Sequence, residues 1–162
     1  IYISFIFILF FITFTIAEIF SIFALNKVND KLLLFLIISI CISTDIGGFT
    51  FGKILKGKKL TRISPNKTYS GLIGSYILSY ITSVYLFKNY FTFYEIILFT
   101  IIFSTISQIG DLFISFLKRK ANIKDTGKLI PGHGGILDRI DGMLFAFPFA
   151  YLFMFDNLFN KI

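Results

Sequence analysis

Five long apolar runs account for most of this chain and limit what it can fold into. They cover residues 1–25, 32–48, 69–87, 91–117 and 142–159, with short polar segments between them. About 20 consecutive apolar residues in a helix cross the roughly 30 Å hydrocarbon core of a bilayer. Hydrophobic residues make up 56% of the chain and charged residues only 15%, which excludes an ordinary soluble domain. We therefore predict an all-α fold, a polytopic membrane helical bundle of about five transmembrane helices in a single membrane domain over residues 1–162.

The basic residues are concentrated in two of the polar segments. Residues 49–68 hold six basic residues and no acidic one, and residues 118–141 hold another six. Because two predicted spans separate these loops, both emerge on the same side of the membrane. The positive-inside rule places that side in the cytoplasm. We expect a bacterial inner-membrane protein with a cytoplasmic polar face, and no nucleic-acid partner.

Asp111 lies near the end of a long apolar segment, where an unpaired carboxylate is unfavourable. Ser115 and Lys118 follow it at i+4 and i+7, so all three residues share one face of a helix. This spacing predicts an acid, a hydroxyl and a cation directed at one space. The alternative is a single capped or paired aspartate near the membrane interface.

A glycine-rich turn at residues 131–135 leads directly into the sequence ILDRIDGMLF, which predicts a helix start. Such a turn offers backbone N–H groups to an anion. We therefore predict that His133, Gly134 and Gly135 contact phosphate, although His133 could instead only hydrogen-bond the backbone. Four cations flank the turn in the sequence: Lys118, Arg119, Lys124 and Arg139.

Asp138 and Asp141 stand three residues apart at this helix start. Mg²⁺ typically takes one or two carboxylates together with phosphate oxygens and water. Asp111 and Asp138 are our predicted metal ligands. Asp141 is expected either to support them or to pair with Arg139.

The segment SFLKRKANIKDTGKLIPGHGGILDRID, residues 115–141, resembles the signature of the phosphatidate cytidylyltransferase (CDP-diacylglycerol synthase) family. A match of this length with fixed spacing is far more specific than a short glycine motif. The matching positions are Ser115, Lys118, Arg119, Lys124, Asp125, Pro131, His133, Gly134, Gly135, Asp138, Arg139 and Asp141.

A second, weaker match lies in the other basic loop. RISPNKTYSG, residues 62–71, is similar to the family's Ser-Pro-x-Lys-Thr segment through Ser64, Pro65, Lys67 and Thr68. We predict that Lys67 and Thr68 hold a substrate phosphate and that Asp45 belongs to the same polar cavity. Lys56, Lys58 and Lys59 are interpreted as interfacial residues attracted to anionic lipid.

Two positions depart from the family pattern. The family commonly has glutamate where this chain has Ile114 and Ser70. Ile114 is three residues from Asp111, so we expect it on the side of the helix that faces the site. A carboxylate is therefore missing near the predicted metal.

The resemblance implies transfer of a cytidylyl group from CTP to phosphatidic acid, giving CDP-diacylglycerol and pyrophosphate. It implies Mg²⁺ as cofactor, with a second monovalent or divalent cation left open, and Lys118, Arg119, Lys124 and Arg139 as the residues that stabilise phosphate charge. It also implies further N-terminal spans, so we expect this chain to be the C-terminal catalytic part of a longer fold. The expected partners are CTP, phosphatidic acid and the bilayer; a homodimer is left open.

Two alternatives remain at this point. A transporter or channel also carries intramembrane acids, but its path needs polar groups near mid-membrane. A CDP-alcohol phosphotransferase is suggested by Asp138-Arg139-Ile140-Asp141-Gly142, but that family needs two more aspartates downstream, and residues 143–148 supply none.

Overall fold

The computed structural model describes residues 28–61, 64, 67–123 and 140–150, and these are helical apart from the connections. We number the helices α1 (Val28–Leu55), α2 (Tyr69–Phe87), α3 (Phe93–Lys120) and α4, whose described part is Ile140–Ala150. The all-α prediction is confirmed for this part of the chain. The predicted span over residues 1–25 lies outside it.

Three of the described helices are long and apolar enough to cross a membrane: Lys31–Leu55 within α1, α2 and α3. Many of their large apolar side chains point outward; Ile73, Ile77 and Ile81 of α2, for example, are each about half exposed. Outward-facing apolar surface of this extent needs lipid around it. The chain is an integral membrane protein.

The predicted ends of two spans were wrong. Helix α1 does not stop at Gly48 but continues to Leu55, so the first loop begins at residue 56 rather than 49. Gly47 and Gly48, at the predicted end of the span, lie inside α1 and allow close contact with α2. Helix α3 runs three residues past the predicted end at 117.

Helices α1 and α2 touch backbone to backbone through glycine. A Cβ added at Gly47 would lie 2.7 Å from the carbonyl oxygen of Gly74, and one added at Gly71 would lie 2.6 Å from that of Gly48. Small residues at such crossings let membrane helices approach closely. Helices α3 and α4 also approach each other closely at a glycine, because a Cβ at Gly142 would overlap the hydroxyl of Ser107.

Away from the polar loops, α1, α3 and α4 enclose an apolar core. Leu36, Ile37, Ile40, Phe103 and Ala146 are fully buried in it.

Helix α3 begins with a capping box formed by Thr92 and Glu95. The Glu95 carboxylate accepts from the Thr92 N–H at 2.8 Å, and the Thr92 hydroxyl accepts in return from the Glu95 N–H at 3.3 Å. Glu95 therefore serves the fold, and a threonine followed three residues later by glutamate ahead of an apolar run is the sequence pattern of such a cap.

The loop between α1 and α2 folds back on itself. Lys59 and Thr68 form an isolated antiparallel bridge, and the Leu60 N–H donates to the Lys67 carbonyl at 2.7 Å. Ser70, at a position where the family commonly has glutamate, accepts from the Gly57 N–H at 3.2 Å. This contact anchors the loop and holds Lys67 over the bundle.

The connectivity gives a topology test. We expect cysteines introduced at Lys58 and Lys120 to react with a membrane-impermeant thiol reagent from the same side, and one at Lys88 from the opposite side, because α2 and α3 each cross once between them. The three lysines are exposed, whereas the native Cys41 is buried and should stay unlabelled. Labelling of intact against permeabilised cells measures this; opposite accessibility of positions 58 and 120 would overturn the arrangement.

Candidate active site

A cavity of about 300 Å³ opens at the end of the bundle that carries the loop between α1 and α2. All four helices and this loop contribute to its wall. Residues from both basic segments of the sequence, far apart in the chain, therefore meet in one place. The lining residues are Thr44, Asp45, Gly48, Phe49, Leu60, Ser64, Lys67, Thr68, Gly71, Leu72, Ser75, Gln108, Asp111 and Asp141.

An ion pair between Lys67 and Asp111 joins the loop to α3 across the cavity. The two side chains are 23% and 28% exposed, so the pair remains open to exchange with a ligand. Lys67 is in place because its N–H donates to the Ser64 carbonyl at 3.1 Å within the folded-back loop. Asp111 thus has a cationic partner, as the prediction of a paired or ligand-bound acid requires.

Asp111 and Asp141 form a carboxylate pair at the junction of α3 and α4. Their side chains are within hydrogen-bonding reach of each other. Ser115 donates to Asp111 over 3.4 Å, and the Lys118 ammonium lies 3.8 Å from the Asp141 carboxylate. Asp111, Ser115 and Lys118 therefore do face one space, as their spacing predicts.

Asp141 precedes the apolar part of α4 and is nearly buried. The Asp111 carboxylate and the Lys118 ammonium both lie close to it. Two acids held this close need a proton or a cation between them. Asp141 lines the cavity, so its role is not limited to the expected pairing with Arg139.

These carboxylates fit a hard divalent cation. Mg²⁺ prefers oxygen ligands and is usually bound through one or two carboxylates, with water and phosphate completing the shell. Asp111 and Asp141 supply such oxygens beside a cavity large enough for phosphate, and Asp45 also lines this cavity. Within the described ranges there is no group of three or more His, Cys, Asp or Glu residues that could form an all-protein cage. Asp138, the other predicted ligand, lies outside them.

Thr68 lines the cavity and also stabilises the first turn of α2. Its hydroxyl caps α2 by accepting from the Gly71 N–H at 3.1 Å, and it shares a 3.0 Å hydrogen bond with Ser70. Since either hydroxyl can be the donor in the bond with Ser70, Thr68 keeps one further hydrogen-bonding site, which is either its hydrogen or its second lone pair. Its predicted phosphate contact stays a prediction.

Several lining residues were missed by the sequence reasoning. Thr44, Ser75 and Gln108 lie at the inner end of the cavity, inside segments that were interpreted only as apolar spans. Gln108 could have been predicted from the sequence as a lining residue, because it stands three residues before Asp111 and the two side chains are neighbours on the helix surface. Thr44 and Ser75 gave no such signal, since a hydroxyl in an apolar helix commonly bonds its own backbone.

The remaining predicted residues fall elsewhere. Arg119 lies at the end of α3, where it is exposed and does not line the cavity. Ile114 was expected to face the site; it is instead buried, 3% exposed, and does not line the cavity. At i+3 it is rotated about 60° from Asp111 around the helix, enough to turn it into the packing. Outside the described residues are Lys124, Asp125, His133, Gly134, Gly135, Asp138 and Arg139.

Comparison with known proteins gives one consistent result. The family model described as "Cytidylyltransferase family" matches residues 1–156. Among curated proteins, the phosphatidate cytidylyltransferase of Rickettsia bellii is 42% identical over 137 residues, covering 78% of this chain and 58% of that protein. The proteins of the same name from Helicobacter pylori and Bacillus subtilis are 39% and 40% identical, covering 78% and 69% of this chain and 48% and 43% of their own lengths. The chain spans about half the length of these relatives.

Proposed function

This chain belongs to the cytidylyltransferase family, and we propose that it forms the catalytic part of an enzyme that transfers a cytidylyl group from CTP to phosphatidic acid. The products would be CDP-diacylglycerol and pyrophosphate. The observation that carries the proposal is the cavity that Lys67, Asp111 and Asp141 line together, with the Lys67–Asp111 pair in its wall and Lys118 in contact with Asp141. Paired cations and carboxylates at the end of membrane helices suit a reaction between a charged nucleotide and a lipid phosphate.

The proposed chemistry requires little proton transfer from the protein. The attacking group is a phosphate monoester, which already carries between one and two charges near neutral pH. One of its oxygens forms a bond to the α-phosphorus of CTP, while the bond from that phosphorus to the bridging oxygen breaks and its electron pair leaves with pyrophosphate. The protein's task is to position the phosphates and stabilise their charge.

Different residues in and beside the cavity would position the phosphates, stabilise their charge and hold the metal ion. Lys67 and Lys118 would stabilise phosphate oxygens, together with Arg119, Lys124 and Arg139 as predicted from the sequence. Asp111 and Asp141, with Asp138 as the predicted further ligand, would hold Mg²⁺, which when bound would neutralise phosphate charge. Ser115 keeps Asp111 oriented through its hydrogen bond.

We further propose that the protein lies in the inner membrane of a bacterial cell and that the cavity opens toward the cytoplasm. The support is the charge distribution: residues 49–68 and residues 118–141 each hold six of the sixteen basic residues. A second cation and a homodimer also stay predictions. The relatives are all transferases by name and give no support to the transporter alternative.

The decisive test is conversion of labelled CTP and phosphatidic acid by membranes containing the full-length protein. We expect CDP-diacylglycerol to accumulate with Mg²⁺ present and its formation to stop when a chelator is added, because two neighbouring carboxylates line the cavity. Thin-layer chromatography of the lipid extract measures the product. Ion or solute transport by these membranes without any such conversion would disprove the proposal.

A further inference from the structure

The inner end of the cavity is closed by a fixed network of polar side chains. Thr44, Ser75 and Ser104 are each at most 2% exposed. The Thr44 hydroxyl donates to the Ser104 hydroxyl oxygen at 2.9 Å, and Ser75 donates to the Thr44 carbonyl, also at 2.9 Å. The network ties α1, α2 and α3 together, so any group attached to it is held in a defined orientation.

Gln108 is attached to this network by one end only. Its Nε2 donates to the Ser104 hydroxyl oxygen at 3.3 Å. The other end of the amide, Oε1, has no hydrogen-bond partner among the described residues, and Gln108 lines the cavity. Since the two ends of an amide point in different directions, the oxygen is available as an acceptor for a ligand.

This oxygen differs from the other acceptors of the cavity. The Asp111 and Asp141 carboxylates contact Lys67 and Lys118 and would repel a triphosphate unless neutralised. The Gln108 oxygen is neutral, so it can accept a hydrogen bond close to phosphates without that repulsion. It also lies one helical turn from Asp111, within reach of a molecule whose phosphates are bound there.

CTP and UTP differ at the 4-position of the base, where cytosine carries an amino group and uracil a carbonyl oxygen. A fixed acceptor binds the amino group, as carboxylates do when proteins read cytosine N4, and meets the uracil oxygen without a hydrogen bond. The apolar side chains of Phe49, Leu60 and Leu72 also line the cavity and offer surface for a planar ring.

We infer that Gln108 determines nucleotide specificity by accepting a hydrogen bond from the exocyclic amino group of cytosine. The inference rests on the proposed function, because it names the nucleotide contact of the same cavity. Ser104 and Thr44 act as positioning residues, which keep the amide oxygen directed at the base.

The test compares CTP with UTP in membranes containing the full-length protein. Gln108→Met, which keeps the length of the side chain but removes the acceptor, is expected to lower the ratio of kcat/KM for CTP to that for UTP by about 10- to 100-fold, chiefly through the KM for CTP. Gln108→Asn draws the oxygen back by one carbon and should lower the same ratio, which keeps the test usable if the methionine variant does not fold. Gln108→Glu keeps an acceptor and should retain the preference for CTP even where total activity falls.

Ser64→Ala is the matched control, because Ser64 lines the cavity in the phosphate-binding loop and should affect both nucleotides equally. An unchanged ratio in both Gln108→Met and Gln108→Asn would overturn the inference, as would an effect confined to the KM for phosphatidic acid. Either result leaves the proposed function standing so long as the unaltered protein converts CTP. Absence of conversion by the unaltered protein would instead disprove the function.

Discussion

Replacing Asp111 with asparagine is expected to lower kcat by on the order of a hundredfold to a thousandfold, the cost of losing one preorganised electrostatic contact in an active site. Asp111 combines the ion pair with Lys67, the hydrogen bond from Ser115 and the contact with Asp141. The amide keeps the shape of the side chain but not its charge, so the concentration of Mg²⁺ needed for half-maximal rate should rise as well. Initial rates over a series of Mg²⁺ concentrations measure both effects.

Two controls separate a site role from a structural one. Glu95→Gln makes the same carboxylate-to-amide change at the opposite end of α3, where it weakens only the helix cap, and should leave kcat near normal. If Asp111 served only to pair with Lys67, the double variant Lys67→Met, Asp111→Asn would be no less active than Lys67→Met alone. Equal activity of these two variants, or an unaltered Mg²⁺ dependence in Asp111→Asn, would remove Asp111 from the proposed metal site.

Alanine at Gly47 is expected to destabilise the bundle by about 1–3 kcal/mol, the usual cost of forcing extra atoms into a packed interior. The added Cβ would lie 2.7 Å from the Gly74 carbonyl oxygen and 2.9 Å from the Ser75 Cα, both of them backbone atoms that move only with the whole of α2. The gain of about 0.5–1 kcal/mol from removing glycine inside a helix does not offset this. The temperature at which the detergent-solubilised protein ceases to elute as a single species measures the loss.

The adjacent glycine supplies the comparison. A Cβ at Gly48 would meet only the Ser75 hydroxyl, at 3.0 Å, and a shift of a few tenths of an ångström in this one side-chain oxygen would relieve the contact. Gly48→Ala should therefore melt within a few degrees of the unaltered protein, whereas Gly47→Ala should melt clearly lower and, because α1 and α2 both line the cavity, should also lose activity. Equal melting of the two variants would show that α1 and α2 do not meet at Gly47.

Apolar patterning and charge placement were enough to predict the helices and the common side of the two basic loops. The meeting of Lys67 with Asp111 follows from that placement, because both residues sit where their helices reach the same end of the bundle. Helical spacing likewise predicted the shared face of Asp111, Ser115 and Lys118. These features depend on local periodicity and on the number of membrane crossings, which a single sequence carries.

Features that depend on contact between helices could not be predicted in the same way. The apolar run of α1 was predicted to end at Gly48, but the helix continues past it, and residues of α2 occupy the space beside Gly47 and Gly48. Ile114 was placed facing the site from its spacing alone, and only the packing of the neighbouring helices shows that it is buried. The partners of Gln108 lie on α3 and, through Ser104, on α1, so no local pattern marks its amide as oriented.

Under the proposed function, the depth of Asp111 along α3 determines which substrate must move to reach the site. Helix α3 has 28 residues and is about 42 Å long, so about 6 Å would extend beyond a 30 Å hydrocarbon layer at each end. Asp111 stands nine residues before Lys120, about 14 Å from that end and thus about 8 Å below the edge of the layer. A lipid can reach this depth without lifting its acyl chains into water, which would cost about 0.8 kcal/mol per CH₂ group. Under the proposed function, the cavity would therefore hydrate and neutralise a triphosphate that enters the leaflet.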